Sequence, residues 1–589
     1  MKILKSALAL SLLASGLMAI PVLTPAAHAC GGFFCSLQQP VDQAAERILF
    51  AKDGEDMVAH VQIQYTGPSE NFSWIVPVPS EPELGIGSDE LFQTLRATTR
   101  PQFNIQVTTE GECRSEDGFF DRFGAPTAGA ALDSASAESA RVQVLSQEQV
   151  GPFESVVLKG DDPETLKQWL RDNGYDVPPQ VDPLLDPYIK NDMLLLALKL
   201  RKDRTDGDLK PIVMRYKADK PMIPIQLTAV AAEDDMDVQV WLLGEERAIP
   251  VNYPHVKINE ARINWLQQGS NYRSVVTEAM NEAGGRAFVT EYAGESSAVD
   301  LSVVSAESIN PENLRPLTDP LLFAEGAREF FTTQPLNTGG RPGVTFQQDQ
   351  YISFLSRHIP KPDDAQQVDN DVFYGNLQRY ADSLERAEIT VNTANAIQEL
   401  MDTLVKPRQD IARLFEKHAY LTALYTTLSP EEMTVDPTFD YNPDLEDVSA
   451  QRNATGVRKC HGGVTFSEAP IEITTPSGLK YTFQPPVDGG GSAENNPTLL
   501  PAAAVVQTLS TSGPAVTIRD ESERLNRVLA PDNRNIGVDS SGNTVRTAAG
   551  CACHSPNTPV PVSEGAGEGF SYAVAILGFL GWRKWRQRH

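Results

Sequence analysis

The cysteines hold most of the chemistry this chain could perform: Cys30, Cys35, Cys113, Cys460, Cys551 and Cys553. Cys30 follows Ala27-His28-Ala29, so cleavage after Ala29 makes it the first residue of the mature chain. A thiol beside a free α-amine is the arrangement of N-terminal-nucleophile hydrolases, with the amine as base and the Gly31 and Gly32 amides as oxyanion donors. A lipid on the sulfur, or a bridge to Cys35 across Gly31-Gly32-Phe33-Phe34, abolishes that nucleophile. The Cys30–Cys35 bridge is the expected state in an oxidising compartment. Cys113 and Cys460 are candidates for a long-range bridge, a pairing that spacing alone leaves open. His461 beside Cys460 reads as an exposed imidazole next to a bridged sulfur, because catalytic pairs meet in space rather than in sequence. No second cysteine pair in the folded part has zinc-ligand spacing, and no Cys-x-x-Cys-His attaches haem.

Carboxylates are the second group. Asp436, Asp440, Asp444, Glu446 and Asp447 lie close in sequence, and hard cations take about six to eight oxygen ligands. No cofactor is expected, and calcium at these carboxylates is the one candidate weighed against that. The competing reading is a solvated loop in which these residues, with Pro437 and Pro443, make turns. Asp203, Asp206 and Asp208 lack the full calcium-loop pattern. There is no Gly-x-Ser-x-Gly, no His-Glu-x-x-His and no phosphate loop, so no catalytic residue is assigned.

The two ends direct the chain. Lys2 and Lys5, an apolar run from Ala7 to Ile20 and the small residues up to Ala29 make a signal peptide, expected to be cut by signal peptidase. At the other end Cys551-Ala552-Cys553 precedes a Pro/Gly-rich spacer, an apolar run from Phe570 to Trp582 and a basic cluster ending at Arg588. As a helix that run reaches about 20 Å, short of the roughly 30 Å hydrocarbon core. This tail resembles bacterial three-part sorting signals of the myxobacterial type, with a cysteine motif ahead of the helix. The resemblance implies transient membrane attachment through the helix and a sorting protease that cuts near Cys551 or Cys553. The expected location is the cell envelope or outer surface. With 589 residues the chain can form two or three domains, and its net charge of -28 argues against nucleic acid as a partner.

The elements that must position these residues are mostly strands at first. Ala59, Val61, Ile63 and Tyr65 alternate with His60, Gln62 and Gln64, the pattern of a half-buried strand. Phe103, Ile105 and Val107 repeat it. Further strands are predicted at 72–78, 141–145, 155–158, 193–200, 212–216, 225–230 and 238–243. One helix starts at Pro163 behind Asp162 and ends at Gly174. Residues 121–140 read as an insertion. After residue 300 helices are predicted over 371–384, 394–405 and from Pro407, then a hairpin over 471–483.

Several motifs resemble one bacterial family, that of domain of unknown function 2330. They are Cys30-Gly31-Gly32-Phe33-Phe34-Cys35, Pro40 to Arg47, Phe72 to Pro79, Gly151 to Glu154, Trp169-Leu170 with Asn173-Gly174-Tyr175, and Leu196 to Leu200. The family implies an exported β-rich domain and no catalytic residues. The expected class is α+β: a signal peptide over 1–29, a β-rich domain over 30–300, a mainly helical segment over 301–430, an acidic loop and hairpin over 431–484, a linker over 485–550 and the sorting tail over 551–589. Its expected role is binding or structural, with the Cys30 hydrolase as the alternative and the physiological ligand open.

Overall fold

The computed structural model describes residues 42–66, 73–114, 143–151, 153–160, 163–173, 175, 181–200, 210–230, 232–304, 309–333, 345–461, 463–485, 500–529, 536–538 and 544–546. Strand β1 (Asp42–Asp53) places Glu46, Ile48 and Phe50 on one face and Arg47, Leu49 and Ala51 on the other, the period-2 alternation of a pleated strand. It sits centrally in a seven-stranded sheet of order β13 (Val289–Glu295), β16 (Tyr420–Leu428), β10 (Ala232–Gly244), β1, β2 (Asp56–Thr66), β9 (Ile212–Lys217), β4 (Glu83–Ile86). The β1–β10 pair is parallel and the other neighbours are antiparallel.

A four-stranded antiparallel sheet stacks on this one, in the order β3 (Ser73–Val78), β8 (Leu194–Leu200), β7 (Phe153–Lys159), β6 (Gln143–Val150). Trp74, Val76, Leu196 and Leu198 from the small sheet share one buried cluster with Ile48, Phe50 and Val240 from the large one. Ile75, Leu195 and Ala197 point the other way, under α2 (Pro163–Asp172) and α3 (Asp182–Lys190). Leu49, Val58 and Trp241, on the outer face of the large sheet, are covered by α1 (Asp89–Thr99) and α11 (Lys406–Lys417). The layers run helix, sheet, sheet, helix, each apolar face buried on the next.

Covering the outer face changes the reading of β2. Its polar alternates predicted a solvated side, yet His60 is 1% exposed. The predicted strand at 225–230 is instead a short helix, α4 (Ile225–Thr228). Pro224 precedes it and the Asp436 carboxylate accepts from the Gln226 N–H in its first turn at 3.1 Å. That side-chain cap replaces a ladder partner.

The helical segment has its own core, Phe323, Phe354, Phe373 and Leu400. It comprises α6 (Pro320–Ala327), α7 (Gln348–His358), α8 (Asn370–Tyr374), α9 (Ala381–Arg386) and α10 (Thr393–Leu400). The single helix predicted over 371–384 breaks at Gly375 and a 3-10 turn over Leu377–Tyr380. The helix predicted over 394–405 opens into a π turn at Met401–Val405. Pro407, in the first turn of α11, has no N–H to return to that turn.

A further buried cluster draws on both halves of the chain. β20 (Lys480–Phe483), β19 (Ile471–Thr474), β18 (Gln451–Cys460) and β5 (Gln102–Gly111) form one sheet, with β18 and β5 parallel. β12 (His255–Ile258), β21 (Ala503–Thr508) and β22 (Val516–Asp520) form another. Between them lie α5 (Tyr272–Glu282) and α12 (Ser522–Leu529), with Val276, Ile471, Val506 and Leu525 buried together. Residues 500–529, expected in a linker, are therefore folded, because their apolar alternates fill this core. The expected acidic loop contains β17 (Phe439–Asn442), paired with β11 (Arg247–Pro250). The segment over 30–300 is not self-contained either, since β16 lies between β13 and β10. Two small pairs, β14 (Thr332–Thr333) with β15 (Thr345–Phe346) and β23 (Ile536–Val538) with β24 (Thr544–Arg546), complete the strands. The chain is thus mixed α and β. Among the described residues no helix is long and apolar enough to cross a membrane.

Candidate functional site

Between the two stacked sheets lies a cavity of about 370 Å³. β1 contributes Glu46, Ile48 and Phe50, β2 contributes Ala59 and Val61, and β3 contributes Trp74, Val76 and Val78. Met214 and Tyr216 of β9 and Leu227 and Thr228 of α4 close the remaining sides. From Glu46 to Phe50 the strand rises about 13 Å, so the cavity is elongated. Beyond Phe50 its lining passes to Lys217, Asp219 and Lys220, which are exposed and form its mouth.

Glu46 is buried at the end of the lining away from these charged residues. Its strand neighbours are Ile63 on β2 and Val238 on β10. The side chain is 5% exposed and its Oε2 has no hydrogen-bond partner. Burial alone pushes its pKa up to about 7, since a desolvated carboxylate favours its neutral form. The cations at the mouth are occupied: Lys217 pairs with Glu55 at 3.0 Å and Lys220 with Asp440 at 2.9 Å. An apolar cavity with one convergent, perturbed polar group is the usual form of a small-molecule site.

A larger cleft of about 600 Å³ lies on the opposite face of the large sheet, between β2, β4, β9 and α11. His60 lines it, with neither ring nitrogen hydrogen-bonded and its pKa pushed down to about 4 by burial. Several charged groups of this cleft pair with one another: Asp53 with Arg215 at 2.7 Å and with Lys417 at 2.5 Å, and Asp410 with Arg413.

The acidic candidates do not converge. Asp436 accepts from the Tyr188 hydroxyl at 2.9 Å as well as from Gln226. Asp440 faces Lys220, Asp444 accepts from the Gly513 N–H at 2.7 Å, and Asp447 accepts from the Tyr420 hydroxyl at 2.6 Å. Asp436, Asp440, Asp444 and Asp447 each have their own donor, which is why they spread instead of forming a cation shell. Among the described residues no group of three His, Cys, Asp or Glu side chains could hold a metal.

Cys113 and Cys460 are joined by a disulfide with Cα atoms 4.7 Å apart, at the ends of the parallel β5–β18 ladder. His461 is exposed, with Nε2 3.4 Å from Glu110 Oε1. Ala29, Cys30, Cys35, Asp203, Asp206, Asp208, Cys551, Cys553 and the tail helix lie outside the described residues. Glu46 is the functional candidate that motif reasoning passes over. Its signal is a lone acid in step with Ile48 and Phe50 on an apolar face.

Two stretches that carry the family resemblance, one ending in Glu46-Arg47 and one containing Trp74 to Pro79, meet at this cavity. No curated protein and no solved structure matches the chain. A family model described as an uncharacterized protein conserved in bacteria, domain of unknown function 2330, matches residues 24–373. That span is more than half of the sequence, and the chain belongs to this bacterial family.

Proposed function

We propose that the protein is exported to the bacterial cell envelope and there binds a small, mostly apolar molecule between its two stacked sheets. The observation that carries this reading is the unpaired Glu46 carboxyl at the inner end of an apolar cavity. An unpaired buried acid costs the fold several kcal/mol, on the order of the desolvation penalty of a polar group. A Leu at that position would avoid the penalty, so stability gives no reason for the acid and ligand recognition does.

Export is supported by the signal-peptide pattern ending at Ala29 and by the Cys113–Cys460 bridge, which suits an oxidising compartment. The tail from Cys551 supports sorting at the membrane followed by display on the outer envelope. Binding is favoured over catalysis because, among the described residues, Glu46 has no second titratable side chain beside it at its end of the lining.

Ligand retention is the test. The protein is purified from the envelope fraction under native conditions and unfolded, and the released molecules are identified by mass spectrometry. A near-equimolar apolar compound is expected from the wild type and none from Ala59→Phe, which fills the cavity while retaining the native circular dichroism. Recovery of uncut protein from the cytosol, or an empty extract from folded envelope protein, overturns the proposal.

A further inference from the structure

We propose that the bound molecule is a slender apolar chain bearing one primary amine, seated with its ammonium group on the Glu46 carboxylate. This rests on the cavity being a ligand site, and it names the ligand's head group. Three observations select that head group over an anion or a neutral hydroxyl.

The first is the orphan oxygen. Oε2 of Glu46 receives no hydrogen bond from the protein, and an ammonium group supplies up to three donors. A charge-assisted contact of that kind is roughly twice as strong as a neutral one. The second is the shape of the lining. Ile48, Phe50, Ala59, Val61 and Val76 run from Glu46 toward the mouth, which suits an unbranched apolar body of about 10–13 Å along a strand of this rise. The third is charge. The cationic groups of the lining, Lys217 and Lys220, are held by Glu55, Asp56 and Asp440. Among the described residues an anionic head would meet only paired cations at the mouth and a carboxyl at the inner end. The net charge of -28 further concentrates cations around the protein and repels anions.

Amine binding also moves a proton. The titratable side chains facing the cavity from its lining elements are Glu46 on β1, Tyr216 and Lys217 on β9, and Asp219 and Lys220 in the segment after it. Among the described residues only Glu46 stands at the inner end. An ammonium group there holds it as the carboxylate, so near neutral pH binding expels the proton that the empty site carries in part.

Octylamine, octan-1-ol and octanoate share one apolar chain and differ only in the head, and their binding to the full-length processed protein can be measured by isothermal titration. The amine is expected to bind at least tenfold more tightly than the alcohol, with octanoate weakest. In Glu46→Gln the preference for the amine over the alcohol is expected to disappear. Should that variant misfold, the wild type still reports. Titrations in buffers of different ionisation enthalpy are expected to show proton release near neutral pH with the amine and none with the alcohol. Alcohol or octanoate binding as tight as the amine, or amine binding without proton release, overturns the amine assignment and leaves the ligand site standing. Failure of all three compounds to bind removes the ligand site itself.

Discussion

At the scale of single residues, Glu46 sets a measurable pH dependence. Its carboxyl titrates near 4.5 in the unfolded chain and is pushed up to about 7 in the fold by burial. Below the lower value both states hold the proton, so the group adds nothing. Between the two values the folded state keeps a proton that the unfolded state has released. Wild-type stability therefore falls as pH rises through this window, by up to about 3 kcal/mol, and is constant above it. Glu46→Gln preserves the shape and removes the titration. Its urea midpoint is expected to equal that of the wild type near pH 4.5 and to exceed it near pH 7.5. Equal midpoints at both ends would mean that water solvates the carboxyl. The residue itself is legible in the sequence, as the acid that breaks an apolar face. Its desolvation is not, because that depends on β3 and α4, which close over it from distant parts of the chain.

At the scale of elements, sequence periodicity works where one chain segment decides its own conformation. β2, β8, β9, β10, α11 and the β19–β20 hairpin all follow their apolar alternation or helical stripe. It fails where a distant side chain decides. α4 has the composition of a strand, and what makes it helical is Asp436, which accepts from Gln226 in its first turn and from the Tyr188 hydroxyl at the end of α3. Asp436→Ala leaves the amide and the hydroxyl unpaired in a buried setting and is expected to cost about 2–3 kcal/mol. Asp436→Asn keeps an acceptor and should lose less than half of that in urea unfolding. The same pair of variants separates the cap from a cation ligand. Millimolar calcium is expected to leave the wild-type midpoint unchanged, whereas a calcium site would raise it. The acidic stretch looks like a metal loop in sequence because its donors, Tyr420, Lys220 and the Gly513 amide, are supplied by other elements.

For the molecule as a whole, buried titratable groups of opposite sense oppose one another. Glu46 and Glu291 are both pushed up to about 7, the second by burial that hydrogen bonds from Tyr272 and Gln239 only partly offset. His60 is pushed down to about 4 by burial, and His255 to about 3 by burial with Arg247 and Lys257 nearby. As pH falls from 6.5 toward 4.5, the reference values of these groups, the unfolded chain takes up two protons on histidines that the fold keeps neutral. Across the same interval the fold already holds two protons, on Glu46 and Glu291, that the unfolded chain lacks. The two slopes cancel. Below that interval the unfolded chain also protonates its glutamates, and the histidine loss is no longer balanced. Asp53 and Glu90, both held below the usual carboxylate range, add to the loss there. The wild type is therefore expected to show a flat stability profile across the mildly acidic range and a steep decline below it. Removing the acid side of the balance tests this. In the double variant Glu46→Gln, Glu291→Gln the plateau should become a slope of about 3 kcal/mol per pH unit, with stability lost on acidification from near pH 6.5. A flat profile in the double variant would mean that His60 and His255 protonate within the fold, and that burial does not keep these two imidazoles neutral.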